Sequence, residues 1–171
     1  KLLAEAGYPD GQGFPKLEIL YNTMQGHQNV AQAVQDMWKK NLGIDVQLRN
    51  VERKVHLTEL NKRNYQIARD GWIADYNDPM TFIDQFTTGN EQNHPGYANA
   101  EFDKLIHDAK AEADATKRVA LMHQAEDIIM NDMPFIPLYE YTEVVCMNKK
   151  LKNVHVSPLG FFYFKDADLE K

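Results

Sequence analysis

Three stretches rich in β-branched and aromatic residues, 17–21, 44–51 and 65–73, are separated by two segments with helical periodicity. In the first segment Val30, Ala33, Val34, Met37 and Trp38 recur on one face, and Gly43 supplies the stop. The second covers residues 52–62. Within 44–51 the apolar Ile44, Val46 and Leu48 alternate with Asp45, Gln47 and Arg49, the pattern of a half-buried strand. A β-α-β-α-β order leaves few arrangements open. It predicts right-handed crossovers and a mostly parallel sheet flanked by helices, so the fold class is α/β. Residues 1–6 read as the last turns of a helix that Gly7 ends.

Downstream, a short helix is expected over 80–86, then a polar loop over 87–98. Two longer helices follow. Phe102, Leu105, Ile106 and Ala109 mark the first, and Leu121, Met122, Ala125, Ile128 and Ile129 the second, with Asp114 or Thr116 as the N-cap between them. Residues 136–141 and 143–147 read as strands. From 151 onward the chain reads as irregular and carries Phe161, Phe162, Tyr163 and Phe164 in succession. Four aromatics in a tail need a surface to bury against.

Composition removes several functions. The net charge is −6, and Lys and Arg cluster on no face, which argues against nucleic acid. No apolar run approaches the ~18 residues of a membrane span. Cys146 is the single cysteine, so no internal disulfide is possible, and its apolar surroundings at 144–147 predict a buried small hydrophobe. The six histidines are scattered, with no His-Glu-x-x-His, and metal-ligand spacing is lacking. Ser157, the only serine, has no nucleophile elbow around it. No glycine-rich phosphate loop follows a strand. The expectation is a binding protein, not an enzyme, with no cofactor and no metal.

The richest local chemistry lies at Arg69-Asp70-Gly71-Trp72-Ile73-Ala74-Asp75-Tyr76-Asn77-Asp78-Pro79. An indole, a carboxylate and a proline turn meet at a predicted strand's carboxyl end, where open α/β sheets hold ligands. Asp75 beside Trp72 suits an ammonium, with the carboxylate as partner and the indole as desolvating wall. Each residue also has a plainer reading. Asp75 could be a turn former, Trp72 a core residue, and Tyr76 and Asn77 turn-shaping. A regular strand would turn Arg69 away from Trp72, toward a surface ion pair with Asp70 or Glu59. His27, just before a helix, would face water.

The segment resembles the Trp-x-x-Asp-Tyr-x-x-Pro motif of the extracytoplasmic peptide-binding proteins that feed ABC importers. Four other segments are similar to that family in the same order: 1–11 with 15–21, 38–46, 102–106 and 133–139. Tyr76 directly after Asp75 is closest to the oligopeptide-binding branch. The resemblance implies a type II periplasmic-binding-protein lobe, with residues 1–150 as a C-terminal ligand-binding lobe. Residues 151–171 would be a tail returning toward an N-terminal lobe, and a signal or lipid anchor would belong to a missing N-terminus. It implies a peptide held extended between two lobes, its α-ammonium on Asp75. Arg69 would steady Asp75 or meet a peptide carboxylate, and His27 would approach the carboxylate of a longer peptide. The implied partners are ABC permease subunits, and the implied location is periplasmic or cell-surface. Two positions depart from the branch: Arg53 stands where an aromatic is expected, and Leu60 where a basic residue is. Dipeptide, nickel, haem or sugar binding within the family, and a ligand-sensing module of a receptor or enzyme outside it, are the alternatives.

Overall fold

The structure, a computed structural model, describes residues 1–142 and 144–170. The chain forms two compact units, Lys1–Gly71 and Trp72–Lys171.

In the first unit, β1 (Leu17–Asn22) lies between β2 (Val46–Val51) and β3 (Ile67–Ala68), and both pairings are parallel. Two helices, α2 (Gln25–Leu42) and α3 (Arg53–Asn61), provide the crossovers, and α1 (Leu2–Glu5) precedes the sheet. Ile19, Ile44 and Val46 are buried together, with Leu17, Val34, Trp38, Leu48 and Ile67 packed around them. These are apolar positions of the predicted strand and helix faces, but the buried side of α2 is shifted: His27 and Ala31 are buried, whereas Ala33 and Met37 of the predicted face are exposed. Gly43 ends α2 with φ +68°, and a Cβ there would collide with the carbonyl of Asp10. Only glycine suits both the left-handed turn and that approach.

Polar groups fasten the sheet to its helices. The Arg49 guanidinium lies 2.7 Å from Glu18, 2.8 Å from Glu59 and 2.7 Å from the Asn64 carbonyl, joining β1, β2 and the end of α3. His56, fully buried on α3, places Nε2 3.0 Å from the Arg69 carbonyl. Burial lowers the His56 pKa below its ordinary 6.5, and Arg53 and Arg69 add to this against the opposing pull of Asp70 and the carbonyl bond.

The second unit is helical. A short helix α4 (Met80–Ile83) and a 3-10 turn lead to a loop, and α5 (Ala100–Ala111) and α6 (Ala115–Asp132) pack against each other. Met80, Phe102, Ile106, Ala109, Met122, Ala125 and Ile129 form the core, as the helical spacing predicts. Asn99 caps α5 through Glu101 N and Phe102 N, and Asp114 caps α6 through Lys117 N. The polar loop is organised by Asn93, which is buried. Its amide donates to the carbonyls of Phe86, Thr87 and Tyr97 and accepts from Tyr97 N. Burial and the 2.6 Å bond to Asp132 push the Tyr97 hydroxyl up to about 12.

Three sequence expectations fail. The strand predicted over 65–73 is confined to Ile67–Ala68, paired with Ile19 and Leu20 of β1, with one further bond from Arg69 N to Leu20 O before the chain leaves the sheet. Residues 136–142 and 144–147 form no strand: they find no partner edge, and Val144 is 89% exposed. Glu143, the first residue of the second expected strand, lies outside the described residues. Cys146 is exposed for the same reason, not buried. Conversely, the tail is more regular than its sequence suggests. The strands β4 (Leu151–Lys152) and β7 (Asp168–Leu169) pair antiparallel, as do β5 (His155–Val156) and β6 (Phe162–Tyr163). A turn closes the inner hairpin, with Ser157 N donating to Phe161 O and Gly160 at φ +79°. Phe161, Tyr163 and Phe164 nevertheless remain exposed.

Two predictions follow from these anchors. Asn93→Ala strands several buried backbone groups and should cost ~2–4 kcal/mol in urea unfolding; a loss below ~0.5 kcal/mol would show that water replaces the amide without penalty. His56 resists protonation when folded, whereas the unfolded chain takes up the proton near its ordinary 6.5. Stability is therefore full above that value and falls as the pH drops through it. The urea midpoint should decline between pH 7.5 and 5.5, less steeply in His56→Gln, and an identical slope in both proteins would refute the assignment.

Candidate ligand-binding site

In the first unit the chemistry collects at the carboxyl ends of the parallel strands. The chain leaves β1 at Asn22 and re-enters helix within a few residues, which puts His27 in the first turn of α2. Arg53 opens α3 directly after β2, and Arg69 follows β3. His27 is buried, 8% exposed, with Nδ1 2.9 Å from Asn22 Oδ1. It does not face water as the sequence suggested, because Asn22, also buried, offers it a partner inside the fold. Burial lowers its pKa, and the charges of Arg69 and Arg53 act in the same direction. Both imidazoles of this edge are therefore neutral at pH 7, and the positive charge rests on the two arginines.

Arg69 is half-buried, and its guanidinium folds back over Gly71, where an added Cβ would stand 3.1 Å from Nη2. The strand has already ended, so the alternation that turned Arg69 away from Trp72 does not apply. Of the two partners expected for Arg69, Asp70 or Glu59, the Glu59 carboxylate is held by Arg49 and Asn64. Arg53, in the place where an aromatic was expected, puts Nη1 3.5 Å from His56 Nδ1. Leu60 is 1% exposed and belongs to the packed interior, where a basic side chain would be desolvated without a partner.

In the second unit the segment 72–79 has no regular secondary structure, yet it is braced. Thr81, 2% exposed on α4, accepts two hydrogen bonds at Oγ1: one from the Trp72 indole at 3.3 Å, the other from the Asp75 backbone N–H at 3.2 Å. Asp78 supplies the turn expected of Asp-Pro, accepting from Met80 N at 2.8 Å. Its carboxylate is gripped by both ends of the Arg118 guanidinium, at 2.7 and 2.9 Å. That bidentate bond, with the Met80 N–H, holds the Asp78 carboxyl below the usual carboxylate range.

Within this frame Trp72 is half-buried, while Asp75, Tyr76 and Asn77 are exposed. The Asp75 carboxylate accepts no hydrogen bond and joins no ion pair among the described residues. Its backbone is fixed and its charge is open to solvent. Partial burial, together with Asp84, Asp78 and Asp75 and against Arg118, raises the Tyr76 hydroxyl above its ordinary value. Thr81, Arg118 and His56 were not singled out from sequence. The Thr81 hydroxyl lies on a face that reads as core, and Arg118 is forty residues from its partner.

Comparison with known proteins places this geometry. Residues 1–94 match the family described as bacterial extracellular solute-binding proteins, family 5 Middle. The chain is 42% identical over 168 residues to the oligopeptide-binding protein OppA of Bacillus subtilis, covering 98% of the chain and 31% of that protein. Among solved structures, the murein tripeptide binding protein MppA of Escherichia coli superimposes with TM-score 0.81 at 40% identity, over 88% of this chain and 30% of that one. Haemophilus influenzae OppA in complex with RPPGFSPFR gives 0.77 at 39% identity, over 82% and 28%. The chain thus spans about a third of the length of these relatives. With more than half its residues matched to the family and an α/β architecture that these structures share, this chain belongs to the family 5 bacterial extracellular solute-binding proteins.

Proposed function

We propose that this chain binds peptides as part of the extracytoplasmic receptor of an ABC importer, with Asp75 as the anchor for the ligand's α-ammonium. The observation that carries the reading is the Asp75 carboxylate itself: unpaired among the described residues, open to solvent, and set on a backbone braced by the same Thr81 hydroxyl that holds the half-buried indole. A fixed carboxylate next to an apolar wall favours a primary ammonium, which gains a charge-assisted bond and desolvation together. The arginines at the sheet edge suit the carboxylates of the same class of ligand.

Residues 1–150 would form one wall of a cleft, and a second lobe the other, with the peptide extended between them and main-chain bonds giving affinity without sequence preference. The exposed aromatics of 161–164 would pack on that second lobe. Closure by hinge bending would present both lobes to permease subunits. The role is binding, not catalysis, and the complex of Haemophilus influenzae OppA with RPPGFSPFR is the relevant precedent.

The test is made in the protein as its gene encodes it, by calorimetry with a peptide and its N-acetylated form. Asp75→Ala should weaken the free-amine peptide by ~2 kcal/mol or more, about thirtyfold. N-acetylation removes the same interaction from the ligand's side, so the two changes should be strongly non-additive. Fully additive losses would leave Asp75 a turn residue. Affinity unaffected by acetylation would remove the ammonium from recognition and point to a non-peptide ligand.

A further inference from the structure

Trp72 and Asp75 are three residues apart in a segment without helix or strand, yet both are tied to one atom. The Thr81 hydroxyl oxygen receives the Trp72 indole N–H and the Asp75 backbone N–H, so a single oxygen ties the indole to the backbone that carries the carboxylate. Thr81 is in turn fixed from below. Its N–H donates to the Asp78 carbonyl at 3.2 Å, and the Asp78 carboxylate is held by the Arg118 fork from the first half of α6. Met80, the neighbour of Thr81, is anchored in the core beside Ala125 and Ile129, so the node cannot drift. The chain of contacts runs from a packed helix through a bidentate ion pair and a turn to a hydroxyl, and ends at the two proposed recognition groups.

We propose that Thr81, supported by the Asp78–Arg118 pair, is a positioning residue that sets the Trp72 indole and the Asp75 carboxylate as one preformed ammonium receptor. The inference rests on the ammonium reading of Asp75 and adds the device that makes it selective. A loop that had to order itself on binding would lose part of the interaction to conformational entropy. Here the backbone entropy of the segment is already lost in folding. The node touches no ligand. Its removal should therefore reduce the preference for a free amine, while affinity that arises elsewhere along the peptide stays the same. A residue that merely stabilised the lobe would not separate the two.

The experiment measures affinities of a free-amine peptide and its N-acetylated form in the protein as its gene encodes it, below the unfolding midpoint of every variant. Thr81→Val keeps the shape and removes the acceptor. It should erase about tenfold of the free-amine preference, the scale of one hydrogen bond at ~1.4 kcal/mol per decade. Thr81→Ser restores the oxygen and should stay within about twofold of the parent. Arg118→Gln breaks the fork on a partly exposed side chain, so it tests the same chain of contacts should Thr81→Val fail to fold, with an expected loss of about threefold. Affinity for the acetylated peptide should be the same throughout. Variants that keep the full preference, or lose both peptides equally, overturn the proposal while the Asp75 reading stands. A parent protein with no preference between the peptides overturns the reading and the proposal together.

Discussion

The central strand of the first unit governs everything built around it. β1 is hydrogen-bonded along both edges, to β2 over six residues and to β3 over two, and its Leu20 is wholly shielded from solvent. Parallel pairing on both sides forces each connection to cross over through a helix and return to the same end of the sheet. The carboxyl ends of the strands therefore converge, and the residues that follow them, His27, Arg53 and Arg69, are delivered to one edge without any need for sequence proximity. The short third strand matters here. Because β3 releases the chain at Ala68, the motif that follows is free of sheet geometry and takes its shape from side-chain anchors.

Those anchors differ in kind between the units. In the first, charge is compensated inside the scaffold: Arg49 binds two carboxylates and a carbonyl, and His56 is kept neutral by burial beside two arginines. In the second, a strong ion pair is spent on a loop. Arg118 and Asp78 are each about a quarter exposed, so the pair by itself contributes little to stability. Its bidentate geometry gives direction more than energy, and it fixes the turn that carries Thr81. Asp75 is left as the carboxylate of this segment without a protein partner among the described residues.

Two surfaces in the second unit have the same character on a larger scale. The stretch around Ile136, Leu138, Tyr139 and Tyr141, and the aromatics of the tail hairpin, expose apolar side chains that no neighbouring element covers among the described residues. The sequence patterns of both are those of buried structure. Alternating apolar residues at 136–147 describe a strand, and a strand requires an edge to pair with.

Periodicity and local caps were enough to read the β-α-β-α-β order of the first unit, its parallel sheet and the buried faces of α5 and α6, with the α6 cap left between Asp114 and Thr116. Each of these depends on periodicity or on a cap within a few residues, and hydrophobic burial reads that pattern directly. The sequence also marked Asp75 and Trp72 as the pair to watch, because their types and spacing are local facts. Where β3 stops is a matter of its pairing with Ile19 and Leu20 of β1, a contact between residues almost fifty apart that no local pattern encodes. The tertiary structure alone showed that His27 is buried against Asn22, that Cys146 is exposed, and that Leu60 occupies the interior where a base was expected. The bond between Asp78 and Arg118, forty residues apart, and the convergence of two donors on Thr81 have no local signature. Pairings of that kind are fixed by which helices pack together, and packing is a property of the whole folded unit.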